Sequence, residues 1–246
     1  MKTIKRHLLP LSLLVLLTGH LECAAATVLS TNLILNSDAE SSAGAANYNS
    51  TQPLAGWTTT SGFTPVQYFI GGSEDLNSAD SAAINGGNNY FAGGPDLGFG
   101  NDSSATQRIQ FADLAALIDA SGLSFKLSGY FGGYSGQDDR MALGARFFDA
   151  SNFVTGSFSI GFVLAADRMS ETQLLFRTTT GTVPAGSRGV DLTLSAARFN
   201  GSYNDAYADN LGFEVVPEPA SAALLALGGV LCISRRMLRR RERNVA

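Results

Sequence analysis

Apolar and polar residues alternate with a period of two in three stretches of the chain. Leu123, Phe125 and Leu127 are separated by Ser124 and Lys126, and Met141, Leu143, Ala145 and Phe147 repeat the pattern. Val190, Leu192, Leu194 and Ala196 repeat it again, with Asp191, Thr193 and Ser195 between them. A period of two sends successive side chains to opposite faces, so each stretch is predicted as a half-buried strand. Further strands are predicted over 33–36, 56–60, 66–70, 89–92, 105–111, 153–162, 172–178 and 206–215, divided by Gly-Gly, Asn-Gly and Asp-rich turns. The run Phe91 to Asp96 reads as a turn, because no helix start or Lys-Ser/Thr follows it to make a phosphate loop. One short helix is predicted over 112–120, where Leu114, Leu117 and Ile118 share a face. The expected fold is all-β, two antiparallel sheets packed as a sandwich with one wet face each. Phe125, Phe147, Phe158, Phe162, Phe176 and Phe213 lie in strands and are expected in its core, with Trp57 as a packing anchor.

The two ends break this pattern. Lys2, Lys5 and Arg6 precede an apolar run from Leu8 to Leu17, followed by the small residues Ala24, Ala25 and Ala26. That order is a secretory signal peptide over 1–26, a substrate for the Sec translocon. A lipoprotein signal on Cys23 is the competing reading, against which His20-Leu21-Glu22 stands where small residues are wanted. At the other end Val216-Pro217-Glu218-Pro219 leads into an apolar stretch over 220–234, then into Arg235, Arg236, Arg239, Arg240, Arg241 and Arg243. A transmembrane helix of that length spans about 22 Å against a hydrocarbon core of roughly 30 Å, which makes a weak permanent anchor. Its terminal arginines orient it with the body of the chain outside the cytoplasm.

The Pro217-Glu218-Pro219 triplet, the short helix and the arginine cluster together resemble the PEP-CTERM sorting signal of Gram-negative bacteria, here over 216–243. The resemblance implies an exosortase as processing partner, which would cut near the triplet and release the protein towards the cell surface or the extracellular matrix. An ordinary tail anchor is the alternative.

Composition narrows the chemistry of the 27–215 ectodomain. Both histidines (His7, His20) and both cysteines (Cys23, Cys232) lie in the terminal segments, so the middle has no imidazole or thiol. Ser-His-Asp and Cys-His nucleophile systems, His- or Cys-ligated zinc and disulfides are thereby excluded from it. With eight basic and 18 acidic residues between Thr27 and Val216 it carries a net charge of −10. Such a charge disfavours nucleic acid as a partner and suits solubility or divalent cations.

Three segments, Asn32 to Glu40 with Gly56-Trp57, Leu127 to Arg140, and Tyr207 to Glu214, are similar to the opening, middle and last strand of galactose-binding-like jelly rolls, the class that includes many carbohydrate-binding modules. The resemblance implies a jelly-roll sandwich, association with extracellular polysaccharide, and a structural Ca²⁺ held by Glu40 and Asp209. The strand pattern adds that Asp209 shares parity with Leu211, Phe213 and Val215, so that a core-facing carboxylate would need a partner. Tyr130, Tyr134, Tyr203 and Tyr207 stand near Gly-rich strand ends where a ring can meet a ligand. Asp138 and Asp139 form an acidic pair in a Gly-rich loop, readable as a solvated hairpin or as a ligand site. Three functions are carried forward: a non-catalytic surface or biofilm-matrix protein binding exopolysaccharide, a carboxylate-dependent glycan hydrolase, and a self-associating structural protein.

Overall fold

The computed structural model describes residues 27–217 apart from 69–71, 73, 99 and 121. The predicted signal peptide and the part of the predicted sorting signal beyond Pro217, with its transmembrane helix, Glu218, Pro219 and the arginine cluster, fall outside the described residues. No helix among the described residues is long and apolar enough to cross a membrane.

The strands, in chain order, are β1 (Thr58–Thr60), β2 (Thr64–Gln67), β3 (Asn89–Pro95), β4 (Asp102–Gln110), β5 (Leu123–Gly133), β6 (Arg140–Phe148), β7 (Val154–Ser159), β8 (Gln173–Thr182), β9 (Gly189–Ala197) and β10 (Tyr203–Pro217). They form two five-stranded sheets of order β1-β4-β9-β6-β7 and β2-β3-β10-β5-β8, and the strands of each sheet pair antiparallel. Each of the three alternating stretches sends its apolar set between the sheets: Phe125, Phe147 and Phe213 are fully buried, with ring centroids 5.2 to 6.2 Å apart. Trp57 closes one end of this core, its Nε1 donating to the carbonyl of Leu35 at 3.1 Å.

Several expectations need correction. The segment 33–36 is not a strand; this opening stretch holds the last strand through an Asn32–Glu214 bridge and scattered hydrogen bonds such as Leu33 N–H to the Phe213 carbonyl and Leu211 N–H to that of Ser37. Phe91 to Pro95 is strand, not turn: Gly94 (φ +87°) lets the backbone pass the Gly62 carbonyl, which an added Cβ would meet at 1.8 Å. The helix over 112–120 divides into a 3₁₀ turn (Ala112–Leu114) and a short α-helix (Ala115–Asp119), with Leu114 and Ile118 buried and Leu117 exposed. A further helix, Ser78–Ile84, starts from an Asn77/Asp80 capping box; its sequence, with Ser81 as its one buried residue, carries no apolar stripe to announce it. Phe158, Phe162 and Phe176 are 37%, 48% and 48% exposed rather than core.

The two outer faces differ. That of the β2-β3-β10-β5-β8 sheet is covered near β2 and β3 by a second apolar cluster of Ala45, Val66, Tyr68, Leu76, Tyr90, Ala92 and Tyr207. The outer face of the β1-β4-β9-β6-β7 sheet carries no such cover.

Candidate functional site

The uncovered face is read directly from the strand register. Met141, Leu143, Ala145 and Phe147 point inward from β6, as Leu192, Leu194 and Ala196 do from β9, so the residues between them face out. Four transverse rows result. Asp102, Ala197 and Arg140 form the first; Thr60, Ser104, Ser195 and Ala142 the second; Thr58, Thr106, Thr193, Gly144 and Ser159 the third; and Arg108, Asp191, Arg146 and Ser157 the fourth. The two middle rows hold only hydroxyl, methyl and glycine positions, and both end rows hold charged side chains. At about 3.4 Å per residue the end rows lie roughly 20 Å apart, so the face is a shallow trough with a low polar floor. A hollow of about 240 Å³ opens along it, lined by Thr60, Asp102, Ser104, Ser195 and Ala197 among others.

The two ends of the trough are built differently. At the fourth row Asp191 accepts from Arg108 Nε (2.7 Å) and Nη2 (2.9 Å) and from Arg146 Nη2 (3.0 Å). The Arg108 hydrogen bond, with Arg146 adding, holds the Asp191 carboxyl below the usual carboxylate range. At the first row Arg140 lies against two phenyl rings, its guanidinium carbon 4.2 Å from the Phe199 centroid and 4.9 Å from that of Phe162.

Three loops are laced together to hold that stack. Asp139 is buried; its Oδ1 accepts the backbone N–H groups of Phe199 (2.6 Å) and Asn200 (2.9 Å), and its Oδ2 that of Asp205 (2.9 Å). Arg168, fully buried, donates to the carbonyls of Ser135 and Gln137 at 2.9 Å each and to that of Glu171, tying the 134–137 loop to the 165–171 turn. Asp138 is exposed; its backbone N–H donates to Asn200 Oδ1 and its Oδ1 accepts from the backbone of Ala165. The acidic pair named from sequence is thus loop framework, with Asp139 enclosed by backbone donors that leave it no open side.

The other residues named from sequence lie on the opposite sheet. Tyr130 is half-buried on its outer face against the exposed ring of Phe176, with centroids 5.3 Å apart. Tyr134 and Tyr203 pack at the margin of the second apolar cluster, and Tyr207 is buried within it, donating to Asp205 Oδ1. Desolvation pushes the Asp205 carboxyl up to about 6.

Asp209 is buried, but not by the parity argument. The β5–β10 register shifts between Asp209 and Gly212, and Asn210 takes φ +47°, so Leu211, Phe213 and Val215 face the core while Asp209 faces outward with Tyr207. There its Oδ2 accepts from the Tyr68 hydroxyl (2.7 Å) and its Oδ1 from the Asn210 backbone (2.7 Å). Desolvation, with Asp38 and Glu40 as like-charged neighbours, pushes its pKa up to about 8. Gly86 and Gly87 run past both acids: an added Cβ would meet Asp209 Oδ2 at 2.6 Å from the first and the Glu40 carboxyl at 2.6 Å from the second. Glu40 accepts from the backbone of Asn88 (2.7 Å) and Asn89 (2.6 Å) and borders a hollow of about 530 Å³. No group of three or more His, Cys, Asp or Glu side chains converges as a metal cluster among the described residues.

No protein-family model matches the chain, and no curated protein matches it. Among solved structures, a Stig cyclase from Fischerella sp. TAU is similar over 77% of this chain and 99% of its own, at 15% identity and a TM-score of 0.50. A family 16 carbohydrate-binding module is similar over 74% and 99%, at 16% identity and a TM-score of 0.44. The enzymatically active domain of the bacteriophage CBA120 tailspike protein 4 is similar over 76% of this chain, at 15% identity and a TM-score of 0.45; the match spans 22% of the tailspike chain. At these identities the likeness concerns the sandwich fold alone.

Proposed function

We propose that the protein is a non-catalytic glycan-binding sandwich and that the trough on the β1-β4-β9-β6-β7 sheet is its binding face. The observation that carries this reading is the run of Thr60, Ser104, Ser195, Ala142, Thr106, Thr193 and Gly144 across four paired strands. Small hydroxyl-bearing positions offer hydrogen bonds to sugar hydroxyls and leave room for a chain to lie flat, with polar groups fixing its orientation. Against hydrolysis on this face, its two carboxyls, Asp102 and Asp191, stand in opposite end rows roughly 20 Å apart, whereas glycoside hydrolysis needs about 5 to 9.5 Å. Filling the floor with Ser195→Tyr, an exposed position, is expected to abolish retention on immobilised polysaccharides that the unaltered protein binds, while leaving its melting temperature unchanged. Equal retention of the variant would refute the assignment of the face.

A cation site is a second element of the proposal. Glu40 and Asp209, with nearby carbonyls, fit a hard cation such as Ca²⁺: every donor is oxygen, and the charged groups raising the buried Asp209 are carboxylates. When bound, the ion would cross-link the opening segment to the last strand and neutralise Asp209; no catalytic step is assigned to it. A carboxylate hydrolase would need two acids in the neighbouring hollow, whose lining holds one, Glu40. The two backbone donors on Glu40 Oε1 favour a structural role for it instead.

For its cellular setting we adopt the reading of the termini given above: export through the Sec translocon of a Gram-negative bacterium, exosortase handling at Pro217-Glu218-Pro219, and residence in the surface or biofilm matrix. Mass spectrometry of the mature product is expected to lack both termini; retention of the arginine tail would refute exosortase handling.

A further inference from the structure

The described residues contain eight basic side chains, and seven are satisfied within the fold. Arg108, Lys126, Arg146, Arg177, Arg188 and Arg198 each pair with a carboxylate. Arg168 is buried against three backbone carbonyls. Arg140 has neither kind of partner, in an ectodomain where acids outnumber bases 18 to eight. It has instead two rings, Phe199 and Phe162, which are 55% and 48% exposed. Its Nε is buried and makes no hydrogen bond, so the two Nη amines are the edge that reaches solvent. Cation–π contact with two rings restricts the guanidinium, at a cost in exposed aromatic surface that packing does not require. The loops that hold the rings are fixed in turn by Asp139 and Arg168.

Position gives the stack its meaning. Arg140 lies opposite Ala197, and Ala197 opposite Asp102, so that cation and acid end one transverse row about 10 Å apart at the usual strand spacing, with Asp102 and Ala197 lining the hollow and Arg140 beside it on the next strand. A neutral sugar at this end would meet no complement to the unpaired charge. A sugar bearing a carboxylate would: the planar Nη edge takes a carboxylate in two parallel hydrogen bonds, and the exposed parts of Phe162 and Phe199 offer apolar surface to the C–H face of the ring. Asp102 repels the same group from the other end of the row, which fixes the direction in which an acidic sugar lies.

We propose that Phe199, Arg140 and Phe162 form the subsite for a uronic acid residue of the bound polysaccharide. This inference rests on the reading of the trough as a glycan-binding face. The test is isothermal titration of the protein and its Arg140→Gln variant with oligogalacturonate and with the same oligomers after reduction of their carboxyl groups. The unaltered protein is expected to bind the uronate form about tenfold or more tighter than the reduced form, the range of one charge-assisted bidentate contact. Arg140→Gln is expected to erase that preference, bringing the ratio of the two affinities to about one, and Arg140→Lys to recover only part of it, because an ammonium lacks the planar fork. Equal affinity of the unaltered protein for both forms, or a preference that survives in Arg140→Gln, would overturn the uronate assignment and leave the trough standing. Binding of neither form, under conditions where Ser195→Tyr and the unaltered protein behave alike on every polysaccharide, would overturn both.

Discussion

Replacing Arg168 with methionine tests how the loop end of the sandwich is held. The guanidinium is buried, donates to the carbonyls of Ser135, Gln137 and Glu171, and has no carboxylate in contact; burial pulls its pKa down. Hydrogen bonds from a charged donor contribute about 1.5–3 kcal/mol each, so three are worth roughly 5–9 kcal/mol gross. Relief from burying the charge returns several kcal/mol, which leaves a net loss of about 2–4 kcal/mol in the methionine variant, whose carbonyls are left without donors. Urea denaturation read by circular dichroism gives the stability difference, and amide exchange locates it. The loss is expected with faster exchange at Gln137 to Arg140 and at Phe199, since the 134–137 loop, Asp139 and Phe199 share one hydrogen-bonded set. A loss under about 1 kcal/mol with unchanged exchange at these amides would refute the reasoning and show that the charge is merely tolerated.

Three further outcomes follow from the same geometry. Asp191→Asn is expected to lower stability at pH 7 by about 1–2 kcal/mol, less than a fully buried pair because both arginines are partly exposed. The folded pKa of Asp191 is depressed, so this contribution is present above the unfolded value near 4 and disappears as pH falls through the folded one; denaturation curves of the two proteins should converge in acid. Gly132→Ala would set a Cβ 1.8 Å from the carbonyl oxygen of Gln173 on the paired strand, and its urea midpoint is expected to report a loss of about 3 kcal/mol or more. Calcium at about a hundredfold excess over its Kd is expected to raise the melting temperature by roughly 5–10 °C, with the rise lost in EDTA and in Asp209→Asn; a melting temperature indifferent to EDTA would remove the cation site.

Much of the sandwich was legible because period-two alternation reports a half-buried strand wherever one face meets the core. Leu123 to Leu127, Met141 to Phe147 and Val190 to Ala196 all read correctly for that reason. What alternation cannot convey is a register shift: the bulge after Asp209 reversed the facing of every residue beyond it, and only Asn210 in a left-handed conformation marks the place. Nor does it say how far an edge is covered. Phe158 meets the Phe125 and Phe147 rings yet stays open, because edge strand β7 has no further strand to shield it, and Phe176 on edge strand β8, paired with Tyr130, lies on the outer face of its sheet. The trough was hidden for a related reason. Thr106, Thr193 and Ser195 looked like ordinary wet-face positions, and their meaning lies in the long-range pairing of β1, β4, β9 and β6. Arg140 was passed over beside Asp138 and Asp139, since a lone arginine at a loop end becomes informative only when its neighbours are rings rather than acids.

The central claim is that sugar binds the open face of the β1-β4-β9-β6-β7 sheet. Amide chemical-shift mapping of the ¹⁵N-labelled protein during titration with oligogalacturonate tests it most directly. Perturbations concentrated at Thr60, Ser104, Ser195, Ala142 and Arg140 are the predicted result. Perturbations confined to Tyr130 and Phe176 on the opposite sheet would contradict it.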